Sequence, residues 1–345
     1  MAKISTKVNF SKKINVGLVG SGIIAEEYIK VIKSFNHKIL KFVTKSKSKK
    51  NFLFKKKHNI KYHFNSFETA IAHEAKVDFW IICSSWNSLL ENFKIALKYN
   101  IIFIIEKSLI ISSKNLEKLY KKKNKNKLSE KVSIGYNRNY YDYIPKLINE
   151  IKNDKLVTVV ANFPDSYSRI VKKRGNNLRK NLVKYITSHW ICLIYKILNL
   201  SNYKIKLNKY KIYSSKKNNL MAGKSLIFEV FNKKSKIPLI MNLIPNNPSN
   251  LEIIFITNKK KYVLSPAETL QIFNNMKVIK DKNRQNLYLT QKKIFNVKRN
   301  YKPGLRELYK DFVNKCFYKK KSLNFMTTIN DLIEVYKICE IFEKN

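Results

Sequence analysis

Glycine is scarce in this chain, with seven residues in 345, and so are proline (seven), cysteine (four) and tryptophan (three). Average usage would put glycine at about 7%. Lys, Asn, Ile, Phe and Tyr crowd the sequence instead, the drift expected of a genome whose codons favour A and T. Cys83, Cys192, Cys316 and Cys339 show no CxxC spacing, and only His189 beside Cys192 comes near metal-ligand spacing. No metal site is therefore expected, and the thiols read as reduced ones in a cytoplasmic protein. No apolar run approaches the roughly 20 residues that span a bilayer. The opening "MAKISTKVNFSKK" has no hydrophobic segment of the secretory kind, so residues 1–13 are expected to form a loose arm.

Acidic residues are also few. Seventy Lys and Arg face twenty-three Asp and Glu, a formal charge of +47. Such an excess can mark a nucleic-acid surface. Here the basic runs are scattered, as in "KSKSKK" from Lys45, "KKKNKNK" from Lys121 and "YKKKS" from Tyr318, and most are lysine. Neither a zinc-finger spacing nor an aromatic RNA-binding signature accompanies them. Weak, salt-sensitive adhesion to polyanions is expected, and no specific nucleic-acid partner.

Against this background, Gly17, Gly20 and Gly22 lie within six residues of one another in "INVGLVGSGIIAEEYIK". Only glycine takes positive φ freely or lets another atom come close to Cα, so glycines that survive the drift mark positions the backbone cannot lose. A chain of this length divides into about two domains. From Ile14 to about Ile134, short apolar runs ("INVGLV", "KILKFVT", "IKYHF", "VDFWIIC", "IIFIIE", "KVSIGY") alternate with amphipathic helices, one of them opened by Asn65 or Ser66 as N-cap. This rhythm predicts a parallel sheet with helices on both faces over 14–135. Residues 136–345 read differently: a helix "DYIPKLINEI", a strand "KLVTVVANF", a loop rich in Lys, Arg and Asn, and the apolar helix "SHWICLIYKILNL". Closely spaced strands from "YKIKLNKYKIYSS" to "KKYVLS" follow, then two closing helices. The expectation is a second, α+β domain on an antiparallel or mixed sheet.

Gly20-Ser21-Gly22-Ile23-Ile24-Ala25 follows a strand and opens a helix. In such a GxGxxA turn the first Gly bends the chain, the second admits a pyrophosphate and the Ala lets helix pack on strand, while the helix N-terminus offers amide donors. The domain is thus expected to be a doubly wound Rossmann fold binding a dinucleotide. About twenty residues on, where an NAD site offers Asp or Glu to the ribose, stand Thr44 and Lys45. A hydroxyl and a cation suit a 2′-phosphate, although Lys45 also reads as one more surface lysine. The cofactor is NAD or NADP, with the lean toward NADP.

Together "VGLVGSGIIA", "IIFIIEKSLI", "VSIGYNRNYY" and "SHWICLIYKIL" resemble, in order and spacing, the landmarks of the glucose–fructose oxidoreductase, inositol dehydrogenase and MocA (Gfo/Idh/MocA) family. The resemblance implies an NAD(P)-dependent oxidoreductase acting on a sugar or sugar derivative, forming homo-oligomers, with a place in surface-polysaccharide biosynthesis. Glu106-Lys107 stands for the family's Glu-Lys-Pro, whose lysine is acid/base, with Ser108 in place of Pro. His189 stands for the His of the family's His-x-x-Asp, with Cys192 in place of the acid, and Leu89 where many relatives carry His. From position alone, His189 also reads as a satisfied core residue, and Lys107 as a solvated lysine. Arg138 has two readings, a planar fork for a substrate carboxylate or phosphate and a structural ion pair. The candidate dinucleotide-binding residues are Gly20, Ser21, Gly22, Ile23, Ile24, Thr44, Lys45, Ser84 and Glu106. Lys107 and His189 are the candidate catalytic residues, joined by Tyr136 and Arg138 for substrate. Asp165 is a weaker candidate that also fits a turn. The other reading is a catalytically degenerate relative that keeps the dinucleotide site and serves as a partner or sensor.

Overall fold

Two sheets and their helices fold into two units in a computed structural model that describes residues 13–46, 48–121, 131–202, 204–213, 223–231, 236–280, 286–318 and 325–343. Apart from Lys13, the arm expected at the N-terminus lies outside the described residues.

The first unit comprises residues 1–111, 117–135 and 305–329. Its strands are β1 (Asn15–Val19), β2 (Lys38–Val43), β3 (Tyr62–Phe64), β4 (Phe79–Ile82), β5 (Phe103–Ile105) and β6 (Val132–Ile134), in the order β3-β2-β1-β4-β5-β6. Every pairing is parallel. This is the doubly wound Rossmann order, whose ligands bind beyond the carboxyl ends of the strands. The crossover helices include α1 (Ile23–Ser34), α2 (Lys49–Lys57), α3 (Phe67–Ala72) and α4 (Trp86–Lys98). On α1 the buried residues are Ala25, Tyr28, Ile29, Val31 and Ile32. Of the two N-caps proposed for α3, Ser66 serves, accepting from the Thr69 N–H.

Division of the chain at about residue 135 is not linear. The helix Leu305–Phe317 clusters with the first unit. There the Tyr309 hydroxyl lies 2.7 Å from His37 Nδ1, and Phe312 packs against Phe79. A sequence read in order cannot anticipate such a return, because the apolar face of that helix matches either core equally well.

The second unit comprises residues 112–116, 136–304 and 330–345. It holds the helix α5 in part (Ser113–Lys121), α6 (Ile144–Asn153), α7 (Tyr167–Arg174) and α8 (Ser188–Ile197). Its strands are β7 (Leu156–Phe163), β8 (Lys204–Tyr213), β9 (Gly223–Phe231), β10 (Lys236–Leu243), β11 (Glu252–Thr257), β12 (Lys260–Leu264), β13 (Thr269–Lys280) and β14 (Asn286–Asn296). They form one sheet in the order β14-β13-β12-β11-β7-β10-β9-β8. It is mixed: β7 and β10 run parallel and the other pairs antiparallel. Alternation puts Val159, Ala161, Phe163, Leu226, Phe228, Leu239, Met241, Ile253 and Phe255 on the buried face. Two elements depart from the sequence reading. The hairpin β13–β14 extends the sheet beyond the expected strands. The segment read as a basic loop contains α7, whose Tyr167 and Val171 are buried one turn apart and whose end is set by Gly175 at φ +95°.

Candidate functional site

The Gly20–Gly22 turn sits at the carboxyl end of β1, and its glycines do different work. Gly20 has φ +107°, and a Cβ there would lie 2.6 Å from the Cys83 carbonyl oxygen. Its N–H donates to the Val43 carbonyl at 2.9 Å, so the turn is pinned between the ends of β2 and β4. Gly22 is exposed, with an ordinary extended backbone (φ −81°, ψ −178°), and a Cβ there would meet nothing within 4 Å. Neither backbone strain nor a neighbouring protein atom requires glycine at this position. No side chain caps α1, whose first turn therefore faces that space with its amides. Ala25 is fully buried, as the motif requires, Ile24 is half-buried and Ile23 is exposed. The cradle fits a pyrophosphate: open, bordered by an uncapped helix N-terminus and kept clear by glycine.

At the end of β2, Thr44 departs from expectation. Its Oγ1 donates to the Ser46 carbonyl at 2.8 Å and lies 2.7 Å from His63 Nε2, so the hydroxyl is engaged within the turn and is not held out to a ribose. The physical reason is the tightness of the turn, which buries Thr44 and leaves Lys45, Ser46, Lys49 and Lys50 exposed. Asn51, which sequence reading passed over, is buried in the first turn of α2. It accepts from Ser21 Oγ at 2.9 Å and donates to the Ser46 carbonyl at 2.8 Å. A cleft of about 490 Å³ bordered by Ser21, Glu26, Lys50 and Leu53 opens between α1 and α2.

Glu106 and Lys107 follow β5. Glu106 Oε1 accepts from the Tyr28 hydroxyl at 2.8 Å. The carboxylate occupies the place a side chain on Gly135 would need, 2.7 Å from an added Cβ. Burial, reinforced by this carboxylate, pushes the Tyr28 hydroxyl well above its ordinary pKa, so it stays a proton donor to Glu106. Burial and the same carboxylate also raise Cys83, keeping it a neutral thiol. Gly135 was a readable signal for this contact, being one of so few glycines. Lys107 is half-buried, and its peptide with the buried Ser108 is cis. Ser84, after β4, accepts from Asn92 Nδ2 at 2.9 Å, and its backbone N lies against Gly20. Leu89 is buried in α4.

In the second unit the marked residues turn inward. His189 lies in the first turn of α8, half-buried, its ring edge-on to Tyr136 with centroids 5.4 Å apart. Tyr136 is fully buried, and burial raises its hydroxyl well above the ordinary range. It packs as core, not as an open substrate contact. Arg138 stacks on Trp190, 3.5 Å from the ring centroid, because the short helical turn over Asn137–Tyr140 lays it across α8. Neither reading made from the sequence, fork or ion pair, anticipates that stacking, worth about 0.5–2 kcal/mol. Cys192 is fully buried, and its sulfur accepts from Asn139 Nδ2 at 3.4 Å. Asp165 accepts from the Thr187 hydroxyl, and its carbonyl from the N–H of Tyr167, so it closes a turn. Just before α8, Val183–Thr187 form a π-helical turn, and Lys184 within it pairs with Glu340 and Glu343, each at 3.1 Å. Such turns recur at functional sites but leave no mark in the period of a short segment.

Residues 14–136 match the GFO_IDH_MocA family model, described as an oxidoreductase family with an NAD-binding Rossmann fold. Comparison with curated proteins gives no match. The fold is similar to that of a probable dehydrogenase from Thermotoga maritima, at 14% identity over 95% of each chain, with TM-score 0.68. It is similar to apo scyllo-inositol dehydrogenase from Lactobacillus casei, at 13% identity over 96% of this chain and 95% of that one, with TM-score 0.66. It is also similar to the transcriptional regulator Gal80p from Kluyveromyces lactis, at 16% identity over 96% of this chain and 89% of that one, with TM-score 0.70. Among the described residues, no helix is long and apolar enough to cross a membrane.

Proposed function

We propose, for a chain that belongs to the Gfo/Idh/MocA oxidoreductases through its Rossmann domain, that it transfers a hydride between a nicotinamide dinucleotide and a carbinol or carbonyl carbon of a sugar derivative. The observation that carries this reading is the Gly20–Gly22 cradle at the head of the β3-β2-β1-β4-β5-β6 sheet, with Glu106-Lys107 at the carboxyl end of β5 in the same sheet. When bound, the nicotinamide supplies or accepts the hydride. The amides of α1 and the open face of Gly22 hold the pyrophosphate. Lys107 Nζ takes the proton from the substrate hydroxyl in oxidation and returns it in reduction. Glu106, next to Lys107 in the chain, accepts from Tyr28 and fills the space that Gly135 leaves. His189 is assigned to substrate, as relay or orienting group. The similarity to scyllo-inositol dehydrogenase supports a polyhydroxylated substrate. The place in surface-polysaccharide biosynthesis and the homo-oligomer rest on the motif resemblance.

NADP is the proposed cofactor. No Asp or Glu occurs between Glu27 and Glu68, so the segment β2–α2–β3 offers no carboxylate to ribose hydroxyls, whereas Lys45, Lys49 and Lys50 are exposed at the turn. Titrating the protein with NADPH and NADH, followed by nicotinamide fluorescence, tests this reading. Tighter binding of NADPH is expected, with the ratio falling about tenfold in Lys45→Asp, as the loss of a charge-assisted contact implies. An unchanged ratio would remove Lys45 from the site.

The second reading, a dinucleotide-binding protein without turnover, is favoured by one observation: Cys192, in place of the family's acid, is buried against Asn139. Fold similarity to a transcriptional regulator is consistent with it.

A further inference from the structure

The two turns that would meet the two ends of an adenosine diphosphate are joined by a single side chain. Ser21 belongs to the Gly20–Gly22 turn, and Thr44, Lys45, Ser46 and Ser48 lie between the end of β2 and the start of α2. Asn51, only 8% exposed, reaches both. Its Oδ1 accepts from Ser21 Oγ at 2.9 Å, while its Nδ2 donates to the Ser46 carbonyl at 2.8 Å. The backbone N–H of Asn51 donates to Ser48 Oγ at 3.4 Å, which caps α2. The Ser46 carbonyl also receives the Thr44 hydroxyl, so both lone pairs of one exposed turn are committed inward. The amide is matched to this task as a carboxylate would not be, since one end must accept and the other donate. An asparagine in a helix's first turn ordinarily satisfies local backbone. Here it reaches across to a residue thirty positions earlier in the chain.

We propose that Asn51 is a positioning residue that fixes the spacing between the pyrophosphate turn and the ribose turn, and so sets affinity and selectivity for the adenosine half of a 2′-phosphorylated dinucleotide. The inference rests on the dinucleotide reading above. With the bracket intact, the exposed Lys45, Ser46 and Lys50 are presented at a fixed distance from Gly22. Without it, the two turns are free to part, and the ordering they would then undergo on binding is subtracted from affinity. The nicotinamide end, served by the ends of β4 and β5, is not reached by any of these bonds.

The test uses the full chain and two variants, Asn51→Ala and Ser21→Ala, with 2′,5′-ADP, NADPH and NADH as probes in calorimetric titrations. Wild type binding NADPH is the control for the dinucleotide reading; without it that reading fails, and this inference with it. Given binding, Asn51→Ala is expected to weaken 2′,5′-ADP and NADPH about tenfold, NADH less, and Ser21→Ala about threefold in the same direction. The losses should be non-additive in the double variant, because both remove the same bond. KM for NADPH should rise in any reaction the protein performs, and Asn51→Asp should not rescue. Ser21→Ala alters an outer turn and leaves α2 intact, so it reports even if Asn51→Ala fails to fold. Wild-type affinity for 2′,5′-ADP in Ser21→Ala, or equal losses for NADPH and NADH in both variants, would overturn the proposal.

Discussion

The glycine turn of the first unit and the His189 helix of the second respond differently to the same compositional drift. At the turn the glycines of the motif are present, Gly20 with its positive φ and contact with Cys83 and Gly22 with open space beside it, and beyond β6 Gly135 makes room for the Glu106 carboxylate. Around His189 the corresponding residues are replaced or turned inward, with Cys192 held by Asn139, Arg138 stacked on Trp190 and Tyr136 buried. A requirement written in backbone geometry tolerates no substitute for glycine, so drift leaves it alone. One written in side-chain identity can be exchanged while the helix still packs. The glycines of the first unit are thus the preserved half of the comparison, and the side chains around His189 the altered half.

The strongest way to break this comparison is at Lys107, a side-chain requirement in the preserved unit. Lys107→Met nearly keeps the length and removes the proton carrier. Turnover should fall by about 10²–10⁴, or ~3–5 kcal/mol of barrier, with NADPH affinity intact. Loss of NADPH binding instead would make Lys107 structural.

Acid separates the first unit by another route. Burial holds His37 down to about 4, with Asp78 opposing weakly, while its Nδ1 lies against the Tyr309 hydroxyl. The folded-state pKa lies below the ordinary 6.5. As pH falls below that value, the unfolded chain binds the proton first, so stability is full above it and drains away toward the folded pKa. The total is about 3 kcal/mol. Denaturant melts of wild type and His37→Gln across that range check it. A slope unchanged by the substitution would discard the assignment.

Gly22→Val sharpens the comparison within the turn itself. An added side chain there meets no protein atom within 4 Å and needs no unusual backbone, so folding should be unaffected. Dinucleotide affinity should drop about a hundredfold, ~2.7 kcal/mol, if the space receives the pyrophosphate as proposed. Undiminished binding would place the ligand elsewhere. By contrast, Gly20→Val should damage the fold, since its Cβ would press on Cys83.

The smallest effects belong to the altered half. His189→Ala should cost less turnover than Lys107→Met, and Cys192→Asp, which restores the family's helical pair, should raise the rate a few-fold if the unit lacks only that acid. A carboxylate at a fully buried position also costs stability, so thermal melts should accompany the kinetics. No gain in a folded variant would show that the site needs no such pair.

Much of the first unit was legible, because strand and helix periods, the glycine turn and the end of β5 are local signals. The same holds for the alternating strands from β7 to β12. Legibility ended where partners are distant in sequence. Nothing near Thr44 announces that its hydroxyl turns toward Ser46 and His63, and nothing near Asn51 announces Ser21. Arg138 meets Trp190 only after α8 docks, and the helix Leu305–Phe317 carries no mark of the unit it joins. Tyr167 and Val171 form a helical pair that the surrounding lysines and arginines concealed.

The central claim is that the preserved half still serves catalysis. The direct measurement is the oxidation of NADPH by wild type and by Lys107→Met, followed by nicotinamide fluorescence across a panel of ketosugars and sugar nucleotides. Both proteins should bind NADPH, and only wild type should consume it with one of these substrates. Binding by both and consumption by neither would contradict it, leaving a protein that holds its dinucleotide without using it.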